Sequence, residues 1–248
     1  MYQANAYEPE FTYTDKSPKK VYVEKMFDEI AHSYDALNHI LSLGIDRIWR
    51  KSAIKFLRER SNPDSILDVA TGTADFAIIA HNMLSPRSVT GIDISEKMLE
   101  LGKNKINENG LSEFIELRKE DCSNMSFPDN HFDAIISSFG LRNFENLDNC
   151  LKEMYRVLKP NGNIVVIDLC TPRNFPMKQL FWCYKKMIMP LVGKTISHND
   201  HAYKYLPHTM NVIPQGEEMV QYFSSAGFKN VHHKPLITQM CVLYSATK

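Results

Sequence analysis

The chain has 248 residues, of which 44% are hydrophobic and 23% are charged, the composition of a soluble globular protein. Lysine and arginine together number 29, as do aspartate and glutamate, so no overall positive field favours nucleic acid. Five scattered cysteines without a C-x-x-C pair predict reduced thiols in a cytoplasmic protein and no metal centre. We expect no secretory signal, and no apolar run reaches the roughly 18 residues of a membrane span.

The amino-terminal quarter predicts a tail followed by a helical cap. Residues 1–18 are polar and lack periodicity, so we expect a flexible tail and a single domain over residues 19–248. Apolar residues recur at helical spacing on both sides of a turn at Ser42–Gly44, which predicts a two-helix cap over residues 19–60.

Three polar residues of this cap are candidates for a pocket. We expect Tyr34, Asp35 and Asn38 to lie in the linker between the two helices. Linker residues carry binding functions more often than residues of the packed core. The sequence leaves a purely structural role open for all three.

A strand, a small-residue turn and a helix follow in direct succession over Ser65–Ala77. In an open α/β sheet such a turn lies at the carboxyl edge of the strands, where ligands bind. Gly72 allows a ligand to approach the main chain, and Thr71 and Thr73 offer hydroxyls there. Only one of the three glycines of a G-x-G-x-x-G loop is present, so a plain structural turn is the alternative to a cofactor loop.

The ends of the next two strands add acidic groups. The strand Ser88–Ile94 contains Asp93, about 20 residues beyond the glycine turn, where nucleotide-binding folds place the carboxylate that grips a ribose. A third strand at Phe114–Leu117 is followed by Asp121 and Cys122, and a carboxylate there can accept a hydrogen bond from an exocyclic amine. A helix-capping or loop role for Asp121 is the alternative.

The second half continues the alternation of strands and helices. A fourth strand at residues 132–136 runs into a polar stretch at 137–143, and a helix leads from there to a fifth strand at Ile164–Leu169. A last helix, Gln215–Ala226, precedes two strands that we expect to pair as a terminal hairpin. This alternation predicts an α/β fold with a mostly parallel sheet and right-handed crossovers.

Residues 171–206 interrupt this rhythm as a helical insertion. The insertion is rich in large apolar residues, which favours packing on the sheet and leaves a lid or a membrane-touching surface as the alternative. His198 and His201 are spaced as zinc ligands can be, but no thiolate or third ligand is nearby, and we expect no metal there.

Four segments together resemble the class I S-adenosylmethionine-dependent methyltransferases. They are D-V-A-T-G-T-A-D at 68–75, G-I-D at 91–93, S-F-G-L-R-N at 138–143 and R-V-L-K-P at 156–160. More narrowly, the chain is similar to the ubiquinone/menaquinone biosynthesis C-methyltransferases. That similarity rests on F-D-x-I-A-x-x-Y-D-x-x-N at 27–38, G-I-x-R-x-W at 44–49 and Y-x-Y-L at 203–206.

The resemblance implies a Rossmann-like class I methyltransferase fold. Such a fold has a mostly parallel seven-stranded sheet, helices on both faces and a terminal antiparallel hairpin. Two positions depart from the family pattern: Ala74 replaces a second glycine, and Asp46 stands where a histidine is common. We expect cofactor binding to survive because alanine is small, whereas Asp46 leaves open any role that the histidine would have.

The resemblance also implies roles for individual residues around S-adenosylmethionine. Gly72 and Thr73 would line its methionine portion, and Asp93 would hold its ribose hydroxyls. Asp121 and Cys122 would flank its adenine. Ser138 would lie near the methyl-transfer centre.

The implied substrate is a demethylated polyprenyl quinol. A cation beside its ring hydroxyl would stabilise the developing phenolate, a role that we give to Arg142 together with Asn143. Tyr34 and Tyr203 are candidates for holding or deprotonating the ring, and water is a further candidate base. The turn at 71–75 favours a menaquinone precursor over a ubiquinone precursor. The prenyl tail favours peripheral contact with the inner face of the membrane, and the sequence leaves a homodimer open.

Three other functions are compatible with parts of the pattern. A methyltransferase of another small phenolic acceptor would share the cofactor half and differ in the pocket. A nicotinamide-dependent oxidoreductase is disfavoured by the single glycine and by the terminal hairpin. A non-catalytic module with a vestigial pocket would bind the cofactor without turnover.

Overall fold

The structure, a computed structural model, describes residues 18–172, 175–184, 186, 205, 208–210 and 212–248. The predicted tail lies outside these ranges except for Pro18. So does most of the predicted insertion, including Tyr203, His198 and His201, and the proposals for these three residues stay predictions.

Seven strands form one sheet in the order β3-β2-β1-β4-β5-β7-β6. The first five strands pair in parallel, and β7 runs antiparallel to both β5 and β6. The predicted fold class, with its terminal antiparallel strands, is therefore confirmed. The strands are β1 Ser65–Val69, β2 Ser88–Asp93, β3 Ile115–Lys119, β4 Phe132–Ser138, β5 Leu158–Leu169, β6 Lys229–Pro235 and β7 Cys241–Thr247.

Six helices accompany the sheet in the described ranges, besides helical residues at 177–184, 186, 205, 208–210 and 212 and two short 3₁₀ turns. The 3₁₀ turns are Leu141–Asn143 and Ile237–Gln239. The helices are α1 Lys19–Leu41, α2 Ile45–Arg58, α3 Asp75–Leu84, α4 Glu96–Glu108, α5 Leu147–Val157 and α6 Glu217–Ser225.

The fifth strand begins earlier than the sequence predicts. Residues 159–162 look like a helix stop signal, but β5 already starts at Leu158, which pairs with Phe132 across an irregularity in the register of β4. The stop signal is nevertheless real, because α5 ends at Val157 and Asn161 has a φ of 63°, in the left-handed region. Pairing with β4 at Leu158, and with β4 and β7 from Asn163 onward, thus includes these residues in the strand as an irregular segment.

Alternate residues of the strands contribute to two hydrophobic layers, one on each face of the sheet. Ile66 and Ile136 pack with residues of α2 and α3 on one face. Leu67 and Ile135 pack with residues of α5 and α6 on the other face. Because successive strand residues point to opposite faces, a strand buried on both faces such as β1 contributes to both layers.

Helix α1 lies across the carboxyl edge of the sheet. Val23 and Met26 pack with Tyr205, and Ile30 and Ala31 pack with Met98 of α4. The prediction that Tyr34, Asp35 and Asn38 lie in an interhelical linker is wrong, because α1 continues to Leu41. The turn needs only three residues, since Leu43 and Gly44 both adopt left-handed backbone angles that reverse the chain tightly.

Polar contacts fix α1 on this edge. Lys105 of α4 lies 2.6 Å from Asp35 and 2.7 Å from Asp75, and Lys20 lies 2.6 Å from Asp121. These pairs are partly exposed, so each adds little stability by itself. Their arrangement sets the position of α1 over the strand ends, where it forms one wall of the site.

Candidate active site

The turn between β1 and α3 is built from alternating left-handed residues. Ala70, Gly72 and Ala74 have φ values of 57°, 55° and 65°. Left-handed angles are routine for glycine and costly for alanine, so the glycine that the resemblance implies at position 74 would suit this backbone. Ala74 adopts the conformation nonetheless, and it is fully buried.

Asp93 connects this turn to the end of β2. Its Oδ2 accepts the backbone N–H of Gly72 at 2.8 Å, and its Oδ1 accepts the N–H of Ser95 at 2.9 Å. Burial raises the pKa of Asp93, although these hydrogen bonds act in the opposite direction. The Ile94 backbone also donates to this carboxylate. Because the two oxygens together offer about four lone-pair positions, Asp93 can still receive a ribose hydroxyl.

A first cavity of about 850 Å³ lies between the strand ends and α1. We name it the cofactor cavity. Besides Tyr34 and Asn143, its lining includes five of the six residues predicted to hold S-adenosylmethionine, namely Gly72, Asp93, Asp121, Cys122 and Ser138. The sequence-based grouping of these residues is thus reproduced in space, while their contacts with the cofactor stay predictions.

Thr73 is the predicted cofactor residue that is not among those lining this cavity. Its hydroxyl donates to Asp35 Oδ1 at 2.7 Å and accepts from Lys105 Nζ at 3.0 Å. The side chain is 2% exposed. Thr73 therefore uses its hydroxyl to fasten α1 and α4 to the turn.

Asp121 and Cys122 form the end of the cavity predicted for adenine. Asp121 Oδ1 accepts from the N–H and the hydroxyl of Ser123, both at 2.8 Å, and Oδ2 accepts from Lys20. The Cys122 sulfur lies 2.8 Å from that of Cys150. This contact and burial raise the pKa of the Cys122 thiol, so it stays neutral and presents a polarisable surface to the cavity.

A second cavity of about 600 Å³ lies on the other side of Phe139, and we name it the acceptor cavity. Phe139 lines both cavities and has a φ of 61°. A bulky residue in the left-handed region is strained, and such residues concentrate at functional sites. The lining is mostly apolar: Leu41, Trp49, Phe139, Leu169, Phe181, Tyr184, Met210 and Met240, with the polar residues Asn38, Ser42, Asp46 and Arg142.

Arg142 brings a positive charge to the acceptor cavity. Its side chain is 7% exposed, and its Nη1 lies 2.5 Å from Asp168 Oδ1 at the end of β5. Burial lowers the pKa of Arg142, but Asp168 together with Tyr34 and Tyr205 raises it overall, so the guanidinium stays charged. Asn143, the next residue, lines the cofactor cavity and accepts the Tyr205 hydroxyl at 3.1 Å.

Tyr34 lies where the two cavities meet. It lines the cofactor cavity, while its hydrogen-bond partner Asn38, one helical turn later, lines the acceptor cavity. Burial raises the pKa of Tyr34, and the opposing effects of Arg142 and Asn38 are smaller. The phenol therefore stays protonated, which favours holding a substrate by hydrogen bonding over removing its proton.

Sequence reasoning missed a second buried ion pair. Asp46 and Arg50, one turn apart on α2, are 1% and 4% exposed and lie 2.5 Å apart. Arg50 Nε also lies 3.4 Å from the Ser138 hydroxyl, and its Cζ lies 5.0 Å from the centre of the Phe139 ring. A signal was available, because opposite charges four residues apart within an apolar helical stripe can face the core as a pair.

The residues present fit S-adenosylmethionine. Asp93 and Asp121 supply acceptors for ribose hydroxyls and an exocyclic amine, and Ile94 and Met98 add an apolar surface. A Cβ added to Gly72 would meet only Tyr34 Cε1, at 3.9 Å, so a glycine there leaves room between the turn and α1. Among the described residues no group of three or more histidine, cysteine or acidic side chains is arranged to hold a metal ion.

The sheet order and the cofactor cavity define a class I S-adenosylmethionine-dependent methyltransferase. Solved structures agree on the fold. An S-adenosylmethionine-dependent methyltransferase from Aquifex aeolicus superposes with a TM-score of 0.57 and 20% identity, covering 79% of this chain and 88% of its own. One from Thermotoga maritima has a TM-score of 0.60 and 17% identity, covering 90% and 99%.

The family model of the ubiE/COQ5 methyltransferases matches residues 14–248, and the chain belongs to that family. A demethylmenaquinone methyltransferase from Bacteroides fragilis is 51% identical over 236 residues, covering 95% of this chain and 96% of the relative. A ubiquinone/menaquinone biosynthesis C-methyltransferase UbiE from Geotalea daltonii is 40% identical over 239 residues, covering 96% and 100%.

Proposed function

We propose that this enzyme transfers the methyl group of S-adenosylmethionine to a ring carbon of demethylmenaquinol and so forms menaquinol. The Bacteroides fragilis relative and one from Porphyromonas gingivalis, 39% identical over 237 residues and covering 95% of this chain and 96% of the relative, both carry the name demethylmenaquinone methyltransferase. The observation that carries the proposal is a buried, ion-paired Arg142 facing an apolar cavity that adjoins the cofactor cavity at Phe139.

The geometry supports separate roles for the two cavities, one for the cofactor and one for the acceptor ring. When bound, S-adenosylmethionine supplies an electrophilic methyl group on its sulfonium. Arg142 would stabilise negative charge on the ring oxygen as the hydroxyl loses its proton, because a preorganised cation in a dry site interacts strongly with developing charge. Asn143 and Tyr34 would orient the ring, and the apolar lining would exclude water.

The decisive experiment is methyl transfer from labelled S-adenosylmethionine to reduced demethylmenaquinone analogues. We expect label in the ring carbon with wild-type enzyme, and nearly none with Arg142→Ala at unchanged cofactor affinity. A demethylated ubiquinone precursor and a simple phenol, run in parallel, test the alternative acceptors. Cofactor binding without transfer to any quinol would contradict the proposal and leave the acceptor open among small phenols.

We also propose that the mouth of the acceptor cavity meets the inner face of the membrane, where a long prenyl tail would remain. Phe175, Leu180 and Trp182 are 81%, 58% and 60% exposed. The same helical stretch contributes Phe181 and Tyr184 to the cavity lining, and the Tyr184 hydroxyl donates to the Leu41 carbonyl. No helix in the described ranges is long and apolar enough to cross a bilayer.

A further inference from the structure

The polar side chains of the acceptor cavity are divided between two walls. Asn38, Ser42 and Asp46 belong to the helical cap, whereas Arg142 follows β4. All other side chains of the lining are apolar or aromatic. A flat ring in this cavity can therefore make polar contacts in two directions, one toward a cation and one toward a carboxylate.

Asp46 is held as an ionised acceptor. Its Oδ1 accepts from the Ser42 hydroxyl at 2.8 Å and lies 3.0 Å from His39 Nδ1, and its Oδ2 accepts from Arg50 at 2.5 Å. Burial raises the pKa of Asp46, but His39, Ser42 and Arg50 outweigh burial and lower it overall. An ionised carboxylate only accepts hydrogen bonds, and each oxygen offers two lone pairs.

The hydrogen bonds described for Asp46 leave one acceptor position open. Oδ1 has two neighbours that can donate, which fill its capacity, whereas Oδ2 has one described donor, Arg50. Asp46 is 1% exposed and nevertheless contributes to the cavity lining. A ligand with a hydroxyl at this wall can therefore complete the coordination of Oδ2.

We propose that Asp46 is a specificity-determining residue that selects the reduced, hydroquinone form of the acceptor. This inference rests on the proposed function and assigns the redox selectivity of the enzyme to one residue. The two hydroxyls of a 1,4-hydroquinone lie at opposite ends of the ring. With one beside Arg142, the other donates to Asp46. The quinone presents a carbonyl oxygen at the same place, which has no proton to donate and is repelled by the carboxylate.

This selection has a chemical purpose. Only the hydroquinone has a ring carbon rich enough in electrons to take a methyl group, and the quinone has nearly the same shape. A purely apolar cavity discriminates poorly between two molecules of the same shape. A charged acceptor keeps the unreactive form from occupying the site.

The test measures equilibrium binding of 2,3-dimethyl-1,4-naphthoquinone and of its hydroquinone under anaerobic conditions. The two methyl groups block the ring positions at which thiols would add. We expect wild-type enzyme to bind the hydroquinone at least about tenfold more tightly than the quinone, the usual effect of a charge-assisted hydrogen bond. In Asp46→Asn the preference should fall below about threefold.

A matched pair of variants separates the effect of the Asp46 carboxylate from the effect of its ion pair with Arg50. Arg50→Gln keeps the carboxylate, and the double variant Asp46→Asn with Arg50→Gln lacks both charges and leaves no buried arginine unpaired. We expect the first to retain the preference and the second to lose it. Affinity for S-adenosylmethionine and the thermal midpoint report whether each variant is folded.

Two results would overturn the inference. One is equal binding of both redox forms by the wild-type enzyme, and the other is an undiminished preference in the folded double variant. Methyl transfer to demethylmenaquinol by wild-type enzyme tests the proposed function separately. Transfer without a redox preference would reject the role of Asp46 alone, whereas a preference without transfer would reject the reaction.

Discussion

Asp168 holds Arg142 at two points. Asp168 Oδ1 lies 2.5 Å from Nη1 of the guanidinium, and Oδ2 accepts the backbone N–H of Arg142 at 3.2 Å. Both side chains are buried. The carboxylate at the end of β5 thus holds the guanidinium of Arg142 in place. It also anchors the start of the 3₁₀ turn that carries Asn143.

This relationship predicts that removing either partner lowers the rate of methyl transfer more than it lowers the affinity for the cofactor. Arg142→Ala should lower the rate of methyl transfer by about 100-fold or more, the usual effect of removing one stabilising donor from a reaction centre. Asp168→Asn leaves the arginine charge without its partner, so it should also lower the free energy of unfolding by about 3–5 kcal/mol. Rates are measured with labelled cofactor, and stability by urea unfolding.

Arg142→Lys serves as the control for Arg142→Ala, because it keeps the charge but not the planar group. We expect partial activity in this variant. Full activity in Arg142→Ala would show that the guanidinium does not act on the acceptor.

Asp93→Asn should weaken S-adenosylmethionine binding by about 10–100-fold, because the carboxylate supports Gly72 and is the proposed acceptor for the ribose hydroxyls. Since burial raises the pKa of Asp93, binding should weaken on acidification at a higher pH than for an ordinary aspartate. Calorimetric titration across pH measures both effects. Asp64→Asn, at an exposed carboxylate before β1, is the control that should bind normally.

The buried carboxyl of Asp68 should make the stability depend on pH. It accepts the Thr71 hydroxyl at 2.7 Å, and burial raises its pKa to about 7. Between the ordinary aspartate pKa and about 7, the folded chain keeps a proton that the unfolded chain has lost. The contribution of Asp68 to the free energy of unfolding therefore falls as pH rises, by about 2–3 kcal/mol from pH 5 to pH 8.

Asp68→Asn removes this titration while keeping a side chain that can accept from Thr71. Urea unfolding of wild-type and variant protein without cofactor, at pH 5 and pH 8, measures the difference. We expect the wild type to lose stability relative to the variant as the pH rises. Parallel pH profiles would mean that Asp68 titrates normally.

Membrane contact predicts an effect that depends on the prenyl tail. Replacing Phe181 and Trp182 with serine should lower activity on a long-tailed quinol by about tenfold more than on a tailless quinol, because burial of a large aromatic side chain is worth about 1.5–3 kcal/mol. Activity on both substrates is measured in vesicles. Ser61→Ala, just after the end of α2, is the control. Equal losses on the two substrates would remove the argument for membrane contact.

The sequence by itself determined the fold class and most of the cofactor cavity. The apolar residues of β1 indicate a strand buried on both faces, and polar residues directly after parallel strands meet at one edge of the sheet. The sequence therefore predicts that Gly72, Asp93 and Ser138 lie close together, and all three line one cavity in the structure.

Only the tertiary structure decided how the polar groups of the site are paired. Thr73 points to Asp35 and Lys105 instead of the cavity, and Asp168, a residue inside a strand, is the partner of Arg142. Asp46 likewise lines the acceptor cavity because of how α2 packs. Local patterns fix backbone periodicity, whereas the partner of a buried charge depends on which distant segments the folded chain brings within hydrogen-bonding distance.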